Sequence, residues 1–195
     1  MKYLSILLLA VSSCSGIHNV KRDATLIIHV RCENRATAGG SGVAVNSHHV
    51  ITAKHLFKCE NDIYDTFVTN SNGQTFKASF DETSEDDIVR LFVYTPQNYV
   101  QARGEAYETE EVCVVFPRRG WITVCGKVLK VLSERLILDI KGEYGDSGSP
   151  VFDRGGNVVA IVVAKTENTV YAVPLWKWKQ LVVPEGPNMD AVNWP

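Results

Sequence analysis

The sequence predicts an all-β protein, a sandwich or a barrel of short antiparallel strands. Apolar and β-branched residues cluster in short runs, most of them bounded by Gly, Pro, Asn, Asp or Ser. Helical periodicity is nearly absent until the tryptophans near the C-terminus. The 195 residues are 45% hydrophobic and 22% charged, as in an ordinary soluble globular chain long enough for one domain or two packed halves.

Residues 1–16 stand apart from this pattern. Met1-Lys2 precedes an apolar, leucine-rich run over 3–11, then Ser12, Ser13, Cys14, Ser15 and Gly16. A basic start, an apolar core too short to span a bilayer and small residues at its end read as an export signal. Val11-Ser12-Ser13-Cys14 also resembles the lipobox of bacterial lipoproteins, which would make Cys14 a lipidation site. Both readings send the mature chain out of the cytoplasm, as a secreted, periplasmic or lipid-anchored protein. The lipid would be its sole membrane contact, since no run of 18 apolar residues follows. The net charge of −2 gives no support for a nucleic-acid partner.

The strands follow in order. The first half, 24–95, holds runs at 24–31, 41–46, 50–53, 65–69, 74–81 and 87–94. Asn70-Ser71-Asn72-Gly73 is a hairpin turn by composition. Residues 96–110 lack a pattern and read as a linker. The second half, 111–174, holds runs at 111–116, 121–131, 135–140, 150–153, 157–164 and 169–173, with turns at Pro117-Arg118-Arg119-Gly120 and Arg154-Gly155-Gly156. After Pro174 a short helix is expected over 175–182, then a tail to 195. The halves share no visible sequence repeat.

The chemistry concentrates in Gly142-Glu143-Tyr144-Gly145-Asp146-Ser147-Gly148-Ser149-Pro150. Flanking glycines permit a tight turn with unusual dihedrals and Ser147 at its apex. Such a turn can aim the amides of Gly145 and Ser147 into one small space, giving a nucleophile beside a hole for an oxyanion. A serine nucleophile needs a base, and the base an orienting acid. Of the histidines, His18 adjoins the export segment, His29 is mid-strand, and His48 and His49 occupy a turn. His55 ends a strand that follows the glycine-rich run 40–46.

Gly40-Ser41-Gly42-Val43 followed by Thr52-Ala53-Lys54-His55 resembles the catalytic-histidine region of trypsin-like, chymotrypsin-fold serine proteases. Asp86-Asp87-Ile88-Val89-Arg90-Leu91 resembles their aspartate strand, and Gly145-Asp146-Ser147-Gly148-Ser149-Pro150 their nucleophile loop. The resemblance covers 24–182 and implies two six-stranded antiparallel Greek-key barrels. It implies Ser147 as nucleophile, His55 as general base and Asp87 as its orienting acid, with Gly145 and Ser147 supplying the oxyanion hole. Asp86 is the alternative to Asp87; alternation puts the two on opposite faces without saying which meets the histidine.

The chain departs from the animal digestive members: Leu56 follows the histidine where they carry a cysteine, and its compact spacing is closer to bacterial and viral members. Glutamate-specific bacterial members place a histidine where Val162 stands. By position, Lys141 falls at the base of the specificity pocket, with Tyr144 nearby and Val162, Val163 and Ala164 along one wall. A lysine there disfavours basic side chains before the scissile bond. The family often pairs a new N-terminal amine with the acid before its serine, which here would join Ile17 to Asp146.

Of five cysteines, Cys14 belongs to the export segment, leaving four. Cys113 and Cys125 flank the 117–120 turn almost symmetrically, so a hairpin would bring them within disulfide reach. Cys32 and Cys59 are the remaining pair. No metal-ligand spacing occurs and no cofactor is called for. The expected activity is that of a serine endopeptidase on protein or peptide substrates. The alternative is a secreted, catalytically silent protease-like binding module.

Overall fold

The computed structural model describes residues 21–33, 37–59, 63–102 and 105–178. In the first half, β1 (Thr25–Cys32), β2 (Thr37–Ala44), β3 (His49–Ala53), β4 (Ile63–Thr69), β5 (Thr75–Thr83) and β6 (Ile88–Val93) close into an antiparallel barrel in the order β1-β2-β3-β6-β5-β4. Alternation along β1 buries Leu26, Ile28 and Val30 and turns His29 and Arg31 outward.

The second half repeats this arrangement. β7 (Glu111–Phe116), β8 (Ile122–Val131), β9 (Leu136–Leu138), β10 (Pro150–Phe152), β11 (Val158–Lys165) and β12 (Val170–Pro174) form a second closed barrel, β10-β11-β12-β9-β8-β7. Read from β7, the neighbour order β7-β8-β9-β12-β11-β10 matches that of the first barrel strand for strand. The duplication is one of topology, carried by hydrophobic pattern rather than by residue identity.

Val112, Val114, Phe116, Leu136 and Leu138 fill the second barrel. Val115, Phe152, Ile161 and Val163 instead join the cluster of Leu26, Ile28, Val50 and Leu91 in the first. The barrels therefore share a packed seam. Trp121 Nε1 donates across it to Thr25 O at 3.2 Å. The connecting segment is bonded to both barrels: Val100 N donates to Ala44 O at 3.1 Å and Val158 N to Gln101 O at 2.9 Å.

Disulfides join Cys32 to Cys59 and Cys113 to Cys125. The second lies between directly opposed residues of β7 and β8. Among the described residues, no helix is long and apolar enough to cross a membrane.

Three local features differ from the sequence expectation. β2 begins at Thr37, ahead of position 41, because Gly39 and Gly40 continue the ladder with β1 under the side chains of Arg118 and Leu56. The C-terminal helix is a 3-10 turn at Leu175–Trp178 that starts directly after Pro174, a residue still paired with Ala160; positions 179–195 lie outside the described residues. Two further 3-10 turns, Lys54–Phe57 and Pro117–Arg119, follow β3 and β7. The export segment, with Cys14 and Ile17, also lies outside the described residues.

Candidate active site

His55 is carried by the 3-10 turn that leaves β3. The β3–β6 ladder ends with Ala53 opposite Ile88, so the residues just beyond it, His55 and Asp87, come side by side. Lys54 N donates to Asp87 O at 3.1 Å, and Lys54 Nζ to Ser84 O at 2.9 Å, tying the turn to the bend before β6. Asp87 then grips its neighbour twice. Its Oδ1 accepts the His55 amide at 2.7 Å, and its Oδ2 lies 2.5 Å from His55 Nδ1. With Nδ1 carrying the proton, Nε2 is left as the basic nitrogen. Asp86 turns away, its carboxylate 3.7 Å from Lys177 Nζ.

Ser147 sits in a turn wedged between the barrels. Ser147 O accepts the Ser41 amide of β2 at 2.8 Å, and Gly148 N donates to Val162 O of β11 at 2.7 Å. Gly145 and Gly148 both have left-handed backbone, φ 94° and 87°. At Gly148 a side chain has no room either, since a Cβ would collide with Ser41 O. Among the described residues, no acceptor takes the amides of Gly145 and Ser147. Two unspent donors beside a half-buried hydroxyl suit a developing oxyanion.

Beneath the turn, the buried Asp146 carboxylate accepts the Glu143 amide at 2.6 Å and is held through both oxygens by Arg119. Arg119 in turn packs on the Phe116 ring, 4.3 Å from its centroid, and has Glu143 3.6 Å away. The acid that Ile17 was expected to meet is thus engaged by an internal arginine. Sequence reasoning passed over Arg119 as part of a turn; the available signal was a buried acid beside the nucleophile that needs a cation.

A family model for a trypsin-like peptidase domain matches residues 40–161. The chain belongs to this family. The active form of the Rv3671c protease from M. tuberculosis superposes on this trypsin-like peptidase with a TM-score of 0.73 at 14% identity, covering 93% of this chain and 92% of that one. The inactive form of a serine-to-alanine mutant of Rv3671c gives 0.70 at 14% identity, covering 91% and 96%. At such identity the likeness is one of fold. No curated protein matches the sequence.

The residues expected around the specificity pocket of this trypsin-like peptidase fall in different settings. Lys141 is exposed. Tyr144 is 97% exposed, with Lys165 Nζ 4.8 Å from its ring centroid. Val162 packs in the second barrel and Val163 in the seam, whereas Ala164, beyond a bulge in the β11–β12 register, is half-buried. Glu143, a sequence neighbour suited to pairing with Lys141, is drawn instead to Arg119. The two disulfides point to an oxidising compartment outside the cytoplasm.

Proposed function

We propose that this trypsin-like peptidase is a serine endopeptidase that uses Ser147, His55 and Asp87 and forms an acyl-enzyme. The observation that carries the reading is the double grip of Asp87 on His55, which selects the tautomer with Nε2 free to take a proton. Ser147 Oγ attacks the scissile carbonyl carbon while His55 Nε2 accepts its proton. The carbonyl oxygen, now an oxyanion, takes hydrogen bonds from the Gly145 and Ser147 amides. The tetrahedral intermediate collapses, the C–N bond breaks, and His55 returns the proton to the leaving amine. Water, deprotonated by His55, then attacks the acyl-serine; the carboxylic acid leaves and Oγ regains its proton.

Substrates on this reading are proteins or peptides. The solvent-facing Lys141 and the half-buried Ala164, next to the buried Val162 and Val163, support a modest preference for apolar residues before the scissile bond. A positional peptide library on wild type and Lys141→Ala tests this, and efficient cleavage after Lys or Arg would remove it. If Cys14 is lipidated, release of the protein should require detergent and Cys14→Ala should be soluble.

The main test is labelling by a fluorophosphonate together with turnover of peptide substrates. Wild type should label at Ser147, and Ser147→Ala should neither label nor turn over, with kcat down by roughly 10⁶. A wild type that neither labels nor hydrolyses would instead support the silent binding module.

A further inference from the structure

The two arginines of the 117–119 turn have different surroundings. Arg119 is absorbed by Asp146, whereas Arg118 is exposed and, among the described residues, forms no ion pair. Its guanidinium lies over two glycines that leave it room. A Cβ at Gly39 would collide with Nη1, and a Cβ at Gly145 would stand 3.1 Å from Nε. One side chain thus reaches from a residue of the serine turn to β2 of the first barrel.

Beyond Gly39 opens a groove of about 470 Å³. It is lined by His29 and Arg31 of β1, Thr37 of β2, Phe67 of β4, Thr75 of β5 and Arg118. The strand register makes this face continuous, with His29 opposite both Gly39 and Phe67. Two guanidinium groups and no carboxylate line the groove. The acid opposite Arg31 in the register, Asp65, has Lys77 Nζ at 3.1 Å. Partial burial, and then the nearby Arg118 charge, hold the His29 pKa below its ordinary value. The half-buried Phe67 adds apolar surface to a region short of negative charge.

The position of the groove relative to Ser147 gives it a function. The serine turn is held by β11 on one side and by β2 on the other. A peptide attacked by Ser147 Oγ lays its acyl half along one wall and its amine half along the other. With residues 141–144 and the end of β11 taken, on the proposed reading, as the acyl side, the leaving half would cross Gly39, Gly40 and Arg118. We infer that this groove is the leaving-group subsite and that Arg118 is its specificity-determining residue, selecting substrates with Asp or Glu within the first few residues after the scissile bond. The inference rests on the serine-endopeptidase reading.

Internally quenched peptides with one fixed acyl half test it. Asp, Glu, Ala or Lys is placed in turn at each early position after the bond, and kcat/KM ratios are compared for wild type, Arg118→Ala, Arg118→Lys and Arg118→Glu. Thermal melts check folding, and Arg118 is exposed enough for all three to fold. An activated ester with no amino acid on its leaving side, and fluorophosphonate labelling, report the triad separately. Wild type should favour the acid over alanine by roughly five- to tenfold at one position, the scale of a partly exposed charge-assisted contact. That ratio should approach one in Arg118→Ala, survive weakened in Arg118→Lys and invert toward lysine in Arg118→Glu. Added salt should shrink it. A wild type that labels and cleaves the ester but shows no acidic preference, or the same preference in Arg118→Glu, overturns this inference alone. Failure of both labelling and ester turnover overturns the endopeptidase reading and the subsite with it.

Discussion

Replacing Arg119 by methionine tests whether the ion pair under the serine turn holds the Gly145 and Ser147 amides, the proposed oxyanion donors, in place. The side chain of Asp146 is 4% exposed and that of Arg119 is 18% exposed. Without the arginine, the carboxylate keeps the Glu143 amide and loses both guanidinium contacts. Stripping one partner from a dry buried pair costs roughly 3–5 kcal/mol. The partial exposure of Arg119 lets water replace some of that interaction, so we expect a loss of about 2–3 kcal/mol. Asp146 lies between Gly145 and Ser147 in the chain, so a turn that relaxes to hydrate it misaligns both amides. Losing one such donor outright costs about 10²–10³ in kcat, and misalignment should cost about ten- to a hundredfold. Urea unfolding and burst-titrated ester kinetics measure the two effects. A cycle with Asp146→Asn isolates the pair, and the double mutant should be less impaired than the sum of the singles. If Arg119→Met loses less than about 1 kcal/mol and changes kcat by less than about twofold, the pair does not hold the turn.

The remaining predictions concern the histidine and the framework around it. Asp87→Asn should reduce kcat by about 10⁴ through loss of the productive tautomer, whereas Asp86→Asn, which touches only the Lys177 contact, should stay within about threefold; equal losses in steady-state kinetics would reverse the assignment. Removing the Cys32–Cys59 link, whose residues are 27 apart, should cost up to about 3.5 kcal/mol by loop entropy and should lower kcat by loosening the segment after His55; unchanged denaturant midpoints in the paired serine mutant would refute this. His29 should titrate below 6.5 by NMR, and Arg118→Ala should raise that value. Because its folded pKa is lowered, the native state binds fewer protons than the unfolded chain below about 6.5; the His29 contribution to stability is intact above that pH and declines as pH falls through it toward the folded value. An upward shift in wild type would contradict the assigned surroundings.

Strand positions were legible because they follow from local rules. β-branched runs and turn residues place the hairpin at Asn70 to Gly73 and the ladder from Glu111 to Phe116 with no knowledge of partners. The Cys113–Cys125 bridge was legible for the same reason, since a hairpin turn lies between them. The three motifs around His55, Asp87 and Ser147 were legible because the dihedrals and residue types they require are encoded in short windows. The choice between Asp86 and Asp87 was not. Alternation separates the two, but only the register of β3 against β6 decides which one meets His55. The Arg119–Asp146 pair joins residues 27 apart across a turn and a barrel, and no periodicity marks it. Arg118 reads as a solvated turn cation until the fold lays it over Gly39 of the other barrel. Hydrophobic alternation and turn chemistry act between neighbours and can be read along the chain. Charge pairing and groove shape depend on distances that exist only once two barrels, alike in topology and unrelated in sequence, have closed and packed along their seam.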